Sequence, residues 1–353
     1  MARVIVGMSG GVDSAVTALL LKEAGYEVIG VTLRTWESDD GEQSRCCEID
    51  DARDTARQLG IEYHAFNCLS DFRRHVVSPF VEAYLHGRTP NPCVNCNRFV
   101  KWERMMYYAN ILQADSIATG HYATVVKRDN GRFTVRQSSS ASKDQSYMLW
   151  QLTQEQLSRT LMPLGSFTKD EVRRIAWEAG LNVAEKRDSQ EICFVPDGDY
   201  ADFIEANAAD SVSGDGNFVD GRGNIIGRHK GVIHYTVGQR KGLGIALGEP
   251  VYVSEIRTDS NEVVLGNAAS LLRKGILCRN VNWMGIDGIP AGGVLRARVK
   301  IRYHDGGAVA NITEGDGDII RVTFEQPVRA PAPGQSAVFY DADGCVLGGG
   351  EIV

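Results

Sequence analysis

The chain opens on a short apolar run, Val4–Val6, followed by a glycine-rich stretch and then Ala15–Ala24, which has helical composition and ends at Gly25. A second β-rich run, Glu27–Leu33, comes next. The alternation then repeats. Ile49–Gln58 reads as a helix closed by Gly60, Ile61–Phe66 as a strand, Phe99–Leu112 as a helix and Ser116–Thr119 as a strand. Strands alternating with helices predict an α/β fold built on a doubly wound parallel sheet. Such sheets bind ligands beyond the carboxyl ends of their strands. Asn130-Gly131, set between Thr124–Lys127 and Arg132–Arg136, marks a tight hairpin. Helical stretches over Thr153–Thr160 and Thr168–Glu178 follow, the second opened by a Thr168-Lys169-Asp170-Glu171 capping box.

Near residue 205 the pattern changes: Gly, Asp and Asn become frequent and helix-length periodicity fades. From Leu271 onward alternating strands return, among them Val294–Tyr303, Ile319–Phe324 and Ala337–Tyr340, with a turn at Asp341–Gly344. The expected domains are a catalytic α/β domain over 1–204, a small β-rich domain over 205–270 and a C-terminal β-barrel over 271–353.

A length of 353 residues fits two or three domains, and 43% hydrophobic with 24% charged residues allows each of them a core. No apolar run approaches the roughly 20 residues that span a bilayer. The N-terminus lacks a basic region leading into a long apolar segment, so a cytoplasmic chain with no membrane partner is expected. In a reducing compartment the eight cysteines point to metal binding or thiol chemistry rather than standing disulfides. The net charge of -7 argues against a nonspecific coat on nucleic acid. One local exception is Leu295–Tyr303, where alternation puts Arg296, Arg298, Lys300 and Arg302 on one face. Like charges so arranged need either a phosphate backbone or acidic neighbours.

Gly7-Met8-Ser9-Gly10-Gly11-Val12-Asp13-Ser14 lies between the first strand and the first helix. Glycines let backbone N–H groups approach phosphate oxygens, and the helix N-terminus adds a favourable dipole. Ser9 and Ser14 can donate to the same phosphates, and Asp13 can hold the Mg²⁺ that screens them. The loop has no lysine, which excludes a Walker-type P-loop. Ser-Gly-Gly-Val-Asp-Ser resembles instead the loop of the ATP pyrophosphatases, which cut between the α and β phosphates and leave an adenylate.

Thr89–Asn97 is a proline-punctuated loop carrying Cys93 and Cys96 as C-x-x-C, and Asp188–Phe194 supplies Cys193. Separate cysteines suit an adenylating enzyme that transfers sulfur: one carries the sulfur as a persulfide, the other attacks to free it, leaving a disulfide. Cys68, Cys278 and Cys345 sit in apolar strand contexts and read as core. A structural zinc on Cys93 and Cys96 lacks an obvious further ligand beyond Cys46 and Cys47, whose role stays open. His121 follows a strand end near the expected AMP site.

With these motifs, together with Ala118–Tyr122, Lys143–Tyr147 and His234–Arg240, the chain resembles the tRNA-specific 2-thiouridylases along nearly its whole length. That resemblance implies 2-thiolation of the wobble uridine of tRNA, with AMP and pyrophosphate released, and a sulfur-donor partner such as a cysteine desulfurase or persulfide relay protein. It implies Cys96 as nucleophile and Cys193 as persulfide carrier, and ATP contacts at Gly7 to Ser14 (Gly7, Met8, Ser9, Gly10, Gly11, Val12, Asp13, Ser14), Leu33 and Gly120. It further implies a target-base loop at Asn91, Pro92 and Cys93, and tRNA contacts at Lys143, Asp144, Gln145, Arg302 and Tyr303. Many members carry Asp where this chain has Cys93, so a [4Fe–4S] cluster held by Cys93, Cys96 and Cys193 competes with the persulfide route. The rival functions are a small-molecule adenylating ligase or amidotransferase, and a non-catalytic iron–sulfur or RNA-binding protein.

Overall fold

The computed structural model describes residues 1–37, 48–186, 192–195, 199–245 and 248–353. Cys46, Cys47 and the Asp188-Ser189-Gln190-Glu191 part of the third cysteine motif lie outside the described residues.

Strand β1 (Arg3–Gly7) has fully buried Val4, Ile5 and Val6. It runs parallel to β2 (Glu27–Arg34), which pairs in turn with β3 (Glu62–Asn67). On its other side β1 pairs with β4 (Ser116–Ala118). The chain then leaves the sheet as a hairpin, β5 (Ala123–Lys127) and β6 (Phe133–Gln137), and returns in β7 (Thr160–Leu161). The five-stranded order is β3-β2-β1-β4-β7. Strand order reverses between β1 and β4, so the crevice where a ligand is expected opens there.

Helix α1 (Val12–Glu23) leaves the loop after β1, and Gly25 after it takes φ +86. Helix α2 (Ile49–Leu59) ends at Gly60 in the left-handed region, where a side chain would be strained. The helix expected over Phe99–Leu112 begins earlier, at Pro92, and passes through a wider π-helical stretch, Cys96–Trp102, before the α-helical Glu103–Ile111. A further helical segment, Leu69–Leu85, is absent from the sequence reading because Pro79 breaks its pattern. The structure accommodates Pro79 directly after a π-helical stretch, Arg73–Val77. Widening the helix there relieves the clash between the proline ring and the preceding turn.

The middle domain is a four-stranded sheet, β10-β11-β8-β9, made of β8 (Gly216–Val219), β9 (Ile225–His229), β10 (Tyr252–Arg257) and β11 (Glu262–Gly266). A short helix, Tyr200–Ala208, precedes it. The C-terminal part closes into a barrel in the order β12-β15-β14-β13-β16-β17. Its strands are β12 (Leu272–Trp283), β13 (Leu295–Lys300), β14 (Ala308–Glu314), β15 (Ile320–Arg329), β16 (Ser336–Tyr340) and β17 (Val346–Ile352). No described helix is long and apolar enough to cross a membrane.

The basic strand is shorter than its alternation suggests. β13 stops at Lys300, and the chain turns where the Asp305 carboxylate accepts the Ile301 N–H at 3.2 Å. Arg302 therefore leaves the shared face. Arg296 bonds Glu325 at 2.8 Å, Arg298 reaches Gln137 and lies 5.5 Å over the Tyr340 ring, and Lys300 is buried.

One apolar cluster runs through both large domains, joining Ile5, Leu33, Tyr147 and Trp150 to Met284, Val338, Tyr340 and Val346 of the barrel. Tyr147 donates to the Ser336 carbonyl at 2.8 Å and Trp150 to the Ser336 hydroxyl at 2.9 Å.

Candidate active site

At the strand-order reversal the backbone of Met8–Gly11 turns into α1. The Met8 N–H donates to the Val31 carbonyl at 2.8 Å, and the Thr32 hydroxyl donates to the Met8 carbonyl at 2.6 Å. Gly10 takes φ +79, in the region that favours glycine. Ser14 lies 3.4 Å from Ser9, hydroxyl to hydroxyl, and donates to the Gly11 carbonyl at 3.0 Å. Gly120, at the end of β4, comes so close that a Cβ on it would stand 2.9 Å from the Asp13 carbonyl carbon. The loops after β1 and β4 thus meet, bringing together Gly7 to Ser14 and Gly120, with Leu33 buried at the end of β2.

Asp13 is the loop's only charged residue. Its Oδ1 accepts from the Tyr122 hydroxyl at 2.7 Å, and Lys169 reaches Oδ1 and Oδ2 at 2.8 and 2.9 Å. On the other lip Lys186 donates to the Gly10 carbonyl at 3.2 Å and forms ion pairs with Glu48 and Asp51. Burial lowers the Lys186 pKa. Sequence reasoning missed Tyr122, Lys169 and Lys186 as site residues. Lys169 carries no motif of its own and reads only as a capping-box position, so nothing in the sequence links it to a loop it reaches through tertiary packing. His121 donates to or accepts from the Thr119 hydroxyl at 2.9 Å, and burial, with the Lys101 charge adding, pushes its pKa down to about 3.

The thiol loop is built by Asn91, whose side chain accepts the Cys93 N–H at 3.2 Å and caps Pro92–Asn95. Pro92 at the first helical position needs no donor there. Cys93 is exposed, Cys96 buried and Cys193 half-buried. Cys96 opens the π-helical stretch and lies in the cluster that contains Leu33, against which Cys193 also packs. The next residue, Phe194, anchors the Cys193 segment by edge-on contacts with Phe72 at 5.6 Å and Phe80 at 5.2 Å. Among the described residues no three His, Cys, Asp or Glu side chains gather as metal ligands.

The residues expected at tRNA divide in two. Lys143, Asp144 and Gln145 form a turn in which Gln145 accepts the Tyr122 N–H at 2.9 Å. Asp144 faces inward, 5% exposed, and accepts from Gln137, Ser138 and Ser146. Burial, then the Asp144 carboxylate and the Cys93 thiol, raise the Tyr303 pKa, and the Tyr303 ring lies 6.1 Å from that of Tyr147. Arg302 donates to the Val237 and Ala330 carbonyls at 3.1 and 2.5 Å, joining the middle domain to the barrel.

Fold and site together define a HUP-type α/β nucleotide-binding enzyme with an attached β-barrel. Family models match in chain order: the tRNA methyl transferase HUP domain over residues 2–197, its PRC-barrel domain over 201–267, and the aminomethyltransferase β-barrel domain over 273–352. The tRNA-specific 2-thiouridylase MnmA of Lachnoclostridium phytofermentans is 51% identical over 360 residues, covering 100% of each chain. That of Acetivibrio thermocellus is 49% identical over 358 residues, covering 99% of each. The chain belongs to the tRNA-specific 2-thiouridylase family.

Proposed function

We propose that the protein performs ATP-dependent 2-thiolation of the wobble uridine of tRNA in the cytoplasm. The observation that carries this reading is that Cys96 lies in, and Cys193 packs against, the same apolar cluster that takes Leu33 from the end of β2. An adenylating ligase would have no use for two such thiols.

The uridine O2 attacks the α-phosphate of ATP and pyrophosphate leaves, so the base carries an adenylate at C2. Gly10 and Gly11 let the loop N–H groups approach the phosphates, with Ser9 and Ser14 as further donors. Asp13 would hold Mg²⁺, which would screen phosphate charge. A terminal persulfide sulfur on Cys193 adds to C2, and AMP departs with the original oxygen. The Cys96 thiolate then attacks Cys193 Sγ. The transferred sulfur stays on C2 as the thiocarbonyl, and Cys96 and Cys193 are left as a disulfide. An external thiol must reduce that disulfide, and a sulfur-donor protein must reload Cys193. Asn91 to Cys93 would frame the target base, with Tyr303 closing the barrel side, while Lys143, Asp144, Gln145 and Arg302 hold the surfaces around it.

The test is purified protein with tRNA, ATP and a persulfide donor, read by nucleoside mass spectrometry and nucleotide chromatography. 2-Thiouridine and AMP are expected, with Cys96→Ser and Cys193→Ser inactive. ADP release, or a methylated base without sulfur, would overturn the reading. The second outcome would favour the activity in the family models' description.

A further inference from the structure

We propose that Lys169 is the phosphate-binding cation that the nucleotide loop lacks, and that it contacts the departing pyrophosphate. This rests on the reading of Gly7–Ser14 as an ATP site. The loop itself offers a polyphosphate one charged side chain, the Asp13 carboxylate, and that charge is repulsive. Helix α1 and the backbone N–H groups supply only partial positive charge. A full cation must come from elsewhere in the chain.

Among the described residues Lys186 and Lys169 bond to the loop. Lys186 sits between carboxylates, since Glu48 and Asp51 both bind it, and it also donates to the Gly10 carbonyl. That group carries net negative charge and would repel phosphate. Lys169 differs. Its ammonium spans both oxygens of Asp13, and its side chain is 12% exposed. It stands at the first position of the helix Lys169–Glu178, fixed there by the Thr168–Glu171 capping box, in which Thr168 and Glu171 satisfy each other's backbone N–H groups. The Tyr122 hydroxyl remains as a second donor to Asp13. When Asp13 turns to a divalent cation carried by the nucleotide, the Lys169 ammonium beside it can turn to the same phosphates. A charge held ready in this way avoids bringing a solvated lysine into the crevice after ATP has bound.

The test uses the full chain and calorimetric titration with ATP, AMP and inorganic pyrophosphate. Lys169→Met should weaken ATP and pyrophosphate binding by about tenfold to a hundredfold, the range for a lost charge-assisted hydrogen bond. AMP binding should be unchanged, which also shows that the variant folds. Lys169→Arg should recover most of the ATP affinity. Equal losses for ATP and AMP would mean that Lys169 only holds Asp13 in place and would overturn the proposal, as would no loss for either. Wild-type protein that binds none of the three would instead remove the ATP-site reading.

Discussion

A methyl group on Gly120 would stand 2.9 Å from the Asp13 carbonyl carbon and 3.0 Å from the Ser14 nitrogen, both backbone atoms that cannot swing aside. Gly120→Ala should therefore push the two loops apart, weakening ATP binding by about tenfold, with about 1–3 kcal/mol of strain shared between binding and stability. Titration with ATP checks this, and unchanged affinity would mean the loops separate freely. His121 gives a pH signature. Its folded pKa is about 3 against the ordinary 6.5, so unfolding takes up a proton between those values. Stability is full above pH 6.5 and falls as pH drops toward 3, by at most about 1.4 kcal/mol per pH unit. His121→Gln should flatten that acid limb in urea titrations at stepped pH. An unaltered limb would assign it to other groups. At this scale motifs pointed to Cys96 and to Gly120, and the structure brings Gly120 against the Asp13 and Ser14 backbone. The sequence was silent on Lys169, whose role comes from a distant loop.

Elements with strong local signals emerged from sequence close to their observed ends. The hairpin at Asn130-Gly131, the capping box at Thr168 and the stop at Gly60 each follow from a single residue's stereochemistry. Two of the helical stretches that failed to show, Leu69–Leu85 and Pro92–Trp102, carry a proline and a π-helical turn, where periodicity slips from 3.6 residues; Tyr200–Ala208 carries neither and is hidden by its short, weakly patterned sequence. Thr168→Ala should destabilise the helix Lys169–Glu178 by about 1 kcal/mol. Since the same cap fixes Lys169, pyrophosphate binding should weaken with it, and denaturation curves alongside pyrophosphate titrations separate the two effects. On β13 the observed partners are an acidic side chain for Arg296 and an amide and a ring for Arg298. Arg296→Ala removes an exposed pair with Glu325 and should shift stability by less than about 1 kcal/mol. Arg298→Ala loses Gln137 and the Tyr340 ring, so it should lower the melting temperature while leaving the salt dependence of tRNA binding unaltered. A salt slope reduced by about one unit would restore the phosphate reading for that residue.

For the whole molecule, the domain pattern was readable from changes in composition, but the extent of contact between domains was not. Apolar residues look alike whether they face their own domain or the next. Trp150 and Tyr147 share a core with Tyr340 and Val346, and Arg128 bonds Asp341 at 2.6 Å, so the α/β domain and the barrel should unfold together. Calorimetry should record one transition for both, and resolved transitions would show the shared core to be weak.

The Thr89 N–H donates to the Pro333 carbonyl at 2.7 Å, and Gln335 donates to the Thr89 carbonyl at 2.8 Å. The first of these bonds joins main chain to main chain, and neither depends on the side chain at residue 89. Mutational drift can therefore rewrite the barrel's outer side chains while the strap leading to Cys93 keeps its position. Change in the barrel's side chains and change in the thiol loop are in this way uncoupled across a single peptide group.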